Sequence, residues 1–129
     1  MNREQQVVSL ELAKKLNELG VKQESLFYWV RHWVPAIERR AFDLFYGKDE
    51  NDKVNEYISA FTVAELGEML GTHYHSYKVK DYFEWVCDAP NNKAESQYAN
   101  TEADARAKML IYLLENKLIA HPEVEQEKE

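Results

Sequence analysis

The feature that most constrains the fold is the stretch at residues 101–119, TEADARAKMLIYLLENKLI, which is apolar nearly all the way round a helix. Thr101 is placed to act as N-cap, with Asp104 three residues later, where a carboxylate answers the cap and meets the positive end of the helix dipole. Ala103, Ala107, Leu110, Ile111, Leu114 and Leu118 recur at helical spacing and make one stripe. Ala105, Met109, Tyr112, Leu113 and Ile119 fall outside it and make a second apolar side. The pattern predicts a helix running to residue 119 and stopped by His121-Pro122, since proline cannot continue a helix. A helix apolar on two sides is buried on two sides. Either the first helix covers the second side, which is the preferred reading, or another subunit does. In the latter case Met109, Tyr112 and Leu113 are the partner or homodimer contact.

The rest of the chain supplies what this helix packs against. Residues 9–19 read as an amphipathic first helix, with Val8, Leu12, Leu16 and Leu19 on one face. Gly20 suits a left-handed stop, with Val21 folding back onto Leu16. Residues 26–34, LFYWVRHWV, fit helix or strand by spacing; aromatic and β-branched enrichment and the following Pro35 favour strand. Residues 37–46 suggest a second strand with Phe42, Leu44 and Tyr46 on one side. After the polar turn 47–53, residues 54–60 return as a third. Thr62 and Glu65 spell a capping box, Phe61 and Leu66 a hydrophobic staple, and Gly71 an end for a short middle helix. Residues 77–88 alternate, with Tyr77, Val79, Phe83, Trp85 and Cys87 on one face and a bend or turn near Lys80-Asp81. Pro90-Asn91-Asn92 turns the chain, and an extended piece near Gln97-Tyr98 leads into the last helix. The fold class is α+β: a mostly antiparallel sheet packed by an N-terminal helix, a short middle helix and a long C-terminal helix. Residues 1–121 form one domain and residues 122–129 a charged, disordered tail.

Composition narrows the function classes. With 45% apolar residues, including three Trp, eight Tyr and five Phe, 129 residues build a true core. No run of about 18 apolar residues occurs, so a membrane-spanning helix is excluded, and the charged start is unlike a signal peptide. Cytoplasmic location is the expectation. The single Cys87 excludes an internal disulfide. A net charge of −7 disfavours simple binding to a phosphate backbone.

No constellation of residues spells a catalytic site. His73 and His75 form an H-x-H pair that a strand would place on one face. Cys87, His32 and His121 complete no recognised zinc spacing, so a polar loop entering a strand is the preferred reading, with no metal and no cofactor. Cys87 on the apolar face of a strand reads as core rather than as a nucleophile. Asp49, Glu50, Asp52, Glu65 and Glu68 fall on a turn or a solvated helix face, and nothing in their spacing pairs two of them as acid and base. No glycine-rich phosphate loop is present among four scattered glycines. Phe27, Tyr28, Trp29 and Trp33, with Arg31 and His32 among them, suggest base stacking on a sheet, although packing is the preferred role in an acidic chain.

Three blocks, SLELAKKLNELGVKQES, AFTVAELGEML and TEADARAKMLIYLLENKL, resemble the conserved segments of small uncharacterised proteins of bacterial prophages and related mobile elements. The resemblance covers about half of the chain and implies a small cytoplasmic α+β protein; it brings no assigned activity and no catalytic residues. The expectation is therefore a non-enzymatic protein-interaction or regulatory module, acting on a protein partner or by self-association. The alternative is an accessory nucleic-acid-binding protein using residues 27–40, with Arg31, His32, Arg39 and Arg40.

Overall fold

A computed structural model describes residues 3–79 and 84–119 of the chain. Lys80, Asp81, Phe83, His121, Pro122 and the tail at 122–129 lie outside the described residues. The elements follow the order α1 (Leu10–Glu18), β1 (Phe27–Val34), β2 (Arg39–Tyr46), β3 (Glu56–Ala60), α2 (Val63–Leu70), β4 (His75–Val79), β5 (Glu84–Asp88), β6 (Gln97–Ala99) and α3 (Glu102–Glu115). This is the expected α+β class, with every strand pair antiparallel. The strands divide, however, into two three-stranded sheets, in the orders β2-β1-β3 and β4-β5-β6, rather than joining in one.

Local grammar sets the helix ends. The chain leaves α1 through a Schellman turn in which the Val21 amide donates to Leu16 O (3.2 Å) and the Gly20 amide to Asn17 O (3.0 Å). Gly20 takes φ +90°, a conformation that costs glycine nothing. At α2 the Thr62 hydroxyl accepts from the Glu65 amide (3.1 Å), and the Glu65 carboxylate accepts from the Thr62 amide (2.8 Å). Phe61 and Leu66 are both buried beside that capping box.

The last helix departs from its reading at both ends. Thr101 does cap it, accepting from the Asp104 amide at 3.2 Å. The Asp104 carboxylate, however, turns away from that helix and accepts from the Ser9 amide at 2.7 Å, closing the N-terminus of α1 instead. The helix stops at Glu115, short of the expected residue 119. Lys117 adopts φ +56°, and a second Schellman turn forms, with the Leu118 amide donating to Leu113 O (2.8 Å) and the Lys117 amide to Leu114 O (3.2 Å). A left-handed lysine ends the helix here, not the proline.

The segment 77–88 is also corrected. It is a hairpin in which Tyr77 lies opposite Val86, and Ser76 opposite Cys87. Directly opposed residues share a face, so Tyr77 and Val79 lie on the opposite face from Trp85 and Cys87. Trp85, Cys87 and Ala99 face the main core. That core joins α1, α2, α3 and both sheets, with Leu16, Ile58, Leu66, Met109, Leu110 and Leu113 fully enclosed. The β4-β5-β6 sheet and α2 lie against α3, and α1 lies against both α3 and β3. The β2-β1-β3 sheet is anchored through α1: Trp29 Nε1 donates to Val8 O (3.0 Å), and Lys14 Nζ stands 5.0 Å above the Phe42 ring.

Candidate functional site

The two long strands of the first sheet outrun their neighbour. β1 and β2 pair over all eight residues, from Phe27 opposite Tyr46 to Val34 opposite Arg39. β3 pairs only with residues 27–31 of β1. Beyond Arg31 the hairpin is a two-stranded ribbon, closed by a turn in which the Ile37 amide donates to Val34 O and Glu38 adopts φ +52°. Among the described residues no third strand pairs with this part of the ribbon, and the side chains at its end stand in water. Trp33 is 53% exposed and Ile37 47%. Phe45 and Tyr46, at the other end of β2, are 44% and 70% exposed. Among the described residues, most of the large exposed apolar side chains therefore lie in or beside this hairpin.

The ribbon also carries its own charge. Residues 31–40, RHWVPAIERR, hold three arginines and one glutamate, a net +2 in a chain of −7, which leaves −9 elsewhere. Arg40 is braced, Nη1 donating to Asn55 Oδ1 at 2.8 Å, while Arg31 and Arg39 project into solvent. On the same hairpin His32 Nε2 lies 2.8 Å from Asp43 Oδ2, and the His32 ring meets Phe45 edge-on at 5.4 Å.

Behind these residues the sheet surface dips into an open concavity of about 670 Å³ lined by Val30, His32, Phe45, Lys48, Asn55 and Tyr57, among others. Asp52 organises its rim, accepting from the Val54 and Asn55 amides, the Asn55 side chain and the Tyr57 hydroxyl (2.7 Å). The Tyr57 hydroxyl and the backbone donors together hold the Asp52 carboxyl down at about 2. The concavity is open to solvent, and its polar lining is His32, Lys48, Asp49, Asn55 and Tyr57.

The other candidate residues are dispersed. Met109 and Leu113, read as partner contacts, are fully buried inside the chain, so the second apolar side of α3 is covered within the fold. Tyr112 alone keeps partial exposure, in a shallow groove with Leu12 and Ile111 between α1 and α3. His73 sits in a left-handed turn (φ +72°) and His75 opens β4, so the two do not share one extended face. Among the described residues no three His, Cys, Asp or Glu side chains gather as metal ligands. Cys87 is enclosed in the core, and burial pushes its thiol up to about 11, leaving it protonated at neutral pH. Arg106, unremarked in the sequence, is a structural tie: it donates to Ser76 Oγ (2.8 Å) and Val63 O (3.1 Å) and lies 3.6 Å from Glu102. Glycine at position 67 makes room for it, since a methyl there would stand 2.3 Å from Arg106 Nη1.

No helix among the described residues is long and apolar enough to cross a membrane. Comparison with known protein families, curated proteins and solved structures finds no match to this chain.

Proposed function

We propose that the chain is a non-enzymatic interaction module of phage or mobile-element type whose contact surface is the projecting β1–β2 ribbon. The observation that carries this reading is the overshoot of the hairpin past β3, with Trp33 and Ile37 half exposed at its end. Side chains of that size left in water cost solubility and contribute little to the core. An aromatic anchor beside arginine is the composition that protein interfaces favour. The three sequence blocks resembling prophage proteins support the origin. The test is affinity capture from cells that carry the protein naturally, comparing the wild type with Trp33→Ala/Ile37→Ala. A protein retained by the wild type and lost with the double variant supports the ribbon as the contact, and identical capture profiles remove it.

The charge segregation favours a second reading, nucleic-acid binding. A two-stranded ribbon fits a major groove, and Arg31 and Arg39 lie on it. Fluorescence anisotropy with single- and double-stranded oligonucleotides decides it: salt-sensitive binding lost in Arg31→Ala/Arg39→Ala supports this reading, and no binding at low salt eliminates it.

A further inference from the structure

We propose that β2 pairs antiparallel with β2 of a second copy of this chain, joining two β2-β1-β3 sheets into one continuous six-stranded sheet. The inference rests on the reading of the ribbon as a contact surface and names its partner. β2 is the outer strand of its sheet, and among the described residues nothing pairs with its far edge. The opposite edge strand, β3, is treated differently: its Ser59 amide is capped by Gln23 Oε1 at 2.8 Å. An eight-residue strand with an open row of amides and carbonyls, and no proline, is a template for another strand.

The pairing with β1 fixes which groups are free. The Gly47 amide donates to Leu26 O, so the Leu26 carbonyl points at β2 and sets the phase of the β1–β2 ladder, while the Leu26 amide goes to the Glu65 carboxylate. Bonded pairs alternate along an antiparallel ladder, so Ala41, Asp43 and Phe45 point their amides and carbonyls at β1. Arg40, Phe42 and Leu44 point theirs outward.

Two copies related by a two-fold axis normal to the sheet keep the same face up, so only residues of the same face come opposite one another. The charges select the register. With Ala41 on the axis, Arg39 lies opposite Asp43 of the second copy, and this occurs twice. These are non-bonded positions, where cross-strand side chains come nearest. Arg40 and Phe42 exchange the hydrogen bonds, while the Arg40 guanidinium stays on Asn55 across the sheet. The paired stretch runs from Arg39 to Asp43, because Ile37 and the left-handed Glu38 belong to the turn before β2. Slipping the register by two residues sets Arg39 against Phe45 and Asp43 against Ala41, losing the direct charge pairs. Slipping it by four sets the two Asp43 carboxylates face to face, which is repulsive.

Sedimentation velocity over a concentration series, on the wild type, Arg39→Glu, and Arg39→Glu/Asp43→Arg, tests the proposal, with circular dichroism confirming that each variant is folded. The wild type is expected to dimerise reversibly. Arg39→Glu turns two attractions into repulsions at once and weakens the dimer by about tenfold or more. The double variant restores the charge pairing and recovers dimerisation. Because Asp43 also holds His32, Ala41→Lys on an unchanged Arg39–Asp43 background is the second probe; it sets two ammonium groups together at the axis and returns the protein to monomer. A wild type that stays monomeric throughout overturns the self-pairing, leaving the ribbon reading to the capture experiment. A dimer indifferent to both Arg39→Glu and Ala41→Lys overturns the β2 edge as its site.

Discussion

The two sheets contain three strands each and differ in how those strands end. In β4-β5-β6 the strands are short, and the sheet lies against α3, with Cys87 and Ala99 buried and Trp85 packed at the edge of the core. In β2-β1-β3 the two eight-residue strands lie side by side and the five-residue β3 pairs with only the first part of β1, so Tyr28 and Val30 are buried while Trp33, beyond the reach of β3, is half exposed. Along β1, burial follows the reach of β3. Length beyond the shortest partner contributes exposed side chains, and those invite function.

That contrast predicts unequal responses to truncation. Met109→Ala, on the helix that roofs the second sheet, is expected to destabilise the fold by about 2–5 kcal/mol, whereas Trp33→Ala on the ribbon stays within about 0.5 kcal/mol. Urea denaturation of the monomeric protein measures both, and a comparable loss for Trp33→Ala would mean the ribbon packs on something in the fold. A middling effect belongs to the link between the two halves. Asp104→Ala removes the acceptor for the Ser9 amide and is expected to cost about 1–2 kcal/mol. Asp104→Asn keeps an acceptor and loses less. Burial raises the Asp104 pKa, so the folded state holds its proton more tightly, and stability from this group falls as pH rises past the ordinary carboxylate range. The asparagine variant lacks that slope in stability against pH.

The smallest effect is expected at the loop beside the ribbon. Asp52 is held at about 2, below its ordinary 3.8, so what it contributes is present above pH 4 and lost as pH falls towards 2. A carboxyl-carbon NMR titration should give a midpoint near that value, and Tyr57→Phe should move it back up. Global stability changes little, because the group is exposed and solvent-screened. A midpoint unchanged by Tyr57→Phe would show that the tyrosine does not hold the loop.

How much of this was legible depended on distance along the chain. The capping box of Thr62 and Glu65, the staple of Phe61 and Leu66 and the Gly20 turn are written within a few residues, and all appear as expected. The extra apolar side of the last helix was also legible: Met109 and Leu113 are covered within the fold, where α3 meets α1, α2 and the β4-β5-β6 sheet, and only Tyr112 of the three contact residues remains at the surface. The face of Tyr77 was misplaced because strand pairing across a turn, not alternation alone, sets the register. The end of α3 was misplaced because Lys117 occupies a conformation usually left to glycine or asparagine. The aromatic run at 27–33 pointed to the right hairpin. Its overshoot did not show, since it depends on the length of β3, chosen some 25 residues later.

The bond between Ser9 and Asp104 spans 95 residues, and Lys15 and Glu115 meet at 3.0 Å beside it. On the ribosome this has a direct consequence. The amide that opens the first helix waits for its acceptor until the last helix has been made, and Leu16 waits for its neighbours in the same core. The N-terminal half therefore emerges with α1 unfinished, and folding is tied to synthesis of α3. A product that ends before α3 lacks the Asp104 acceptor and the core partners of Leu16.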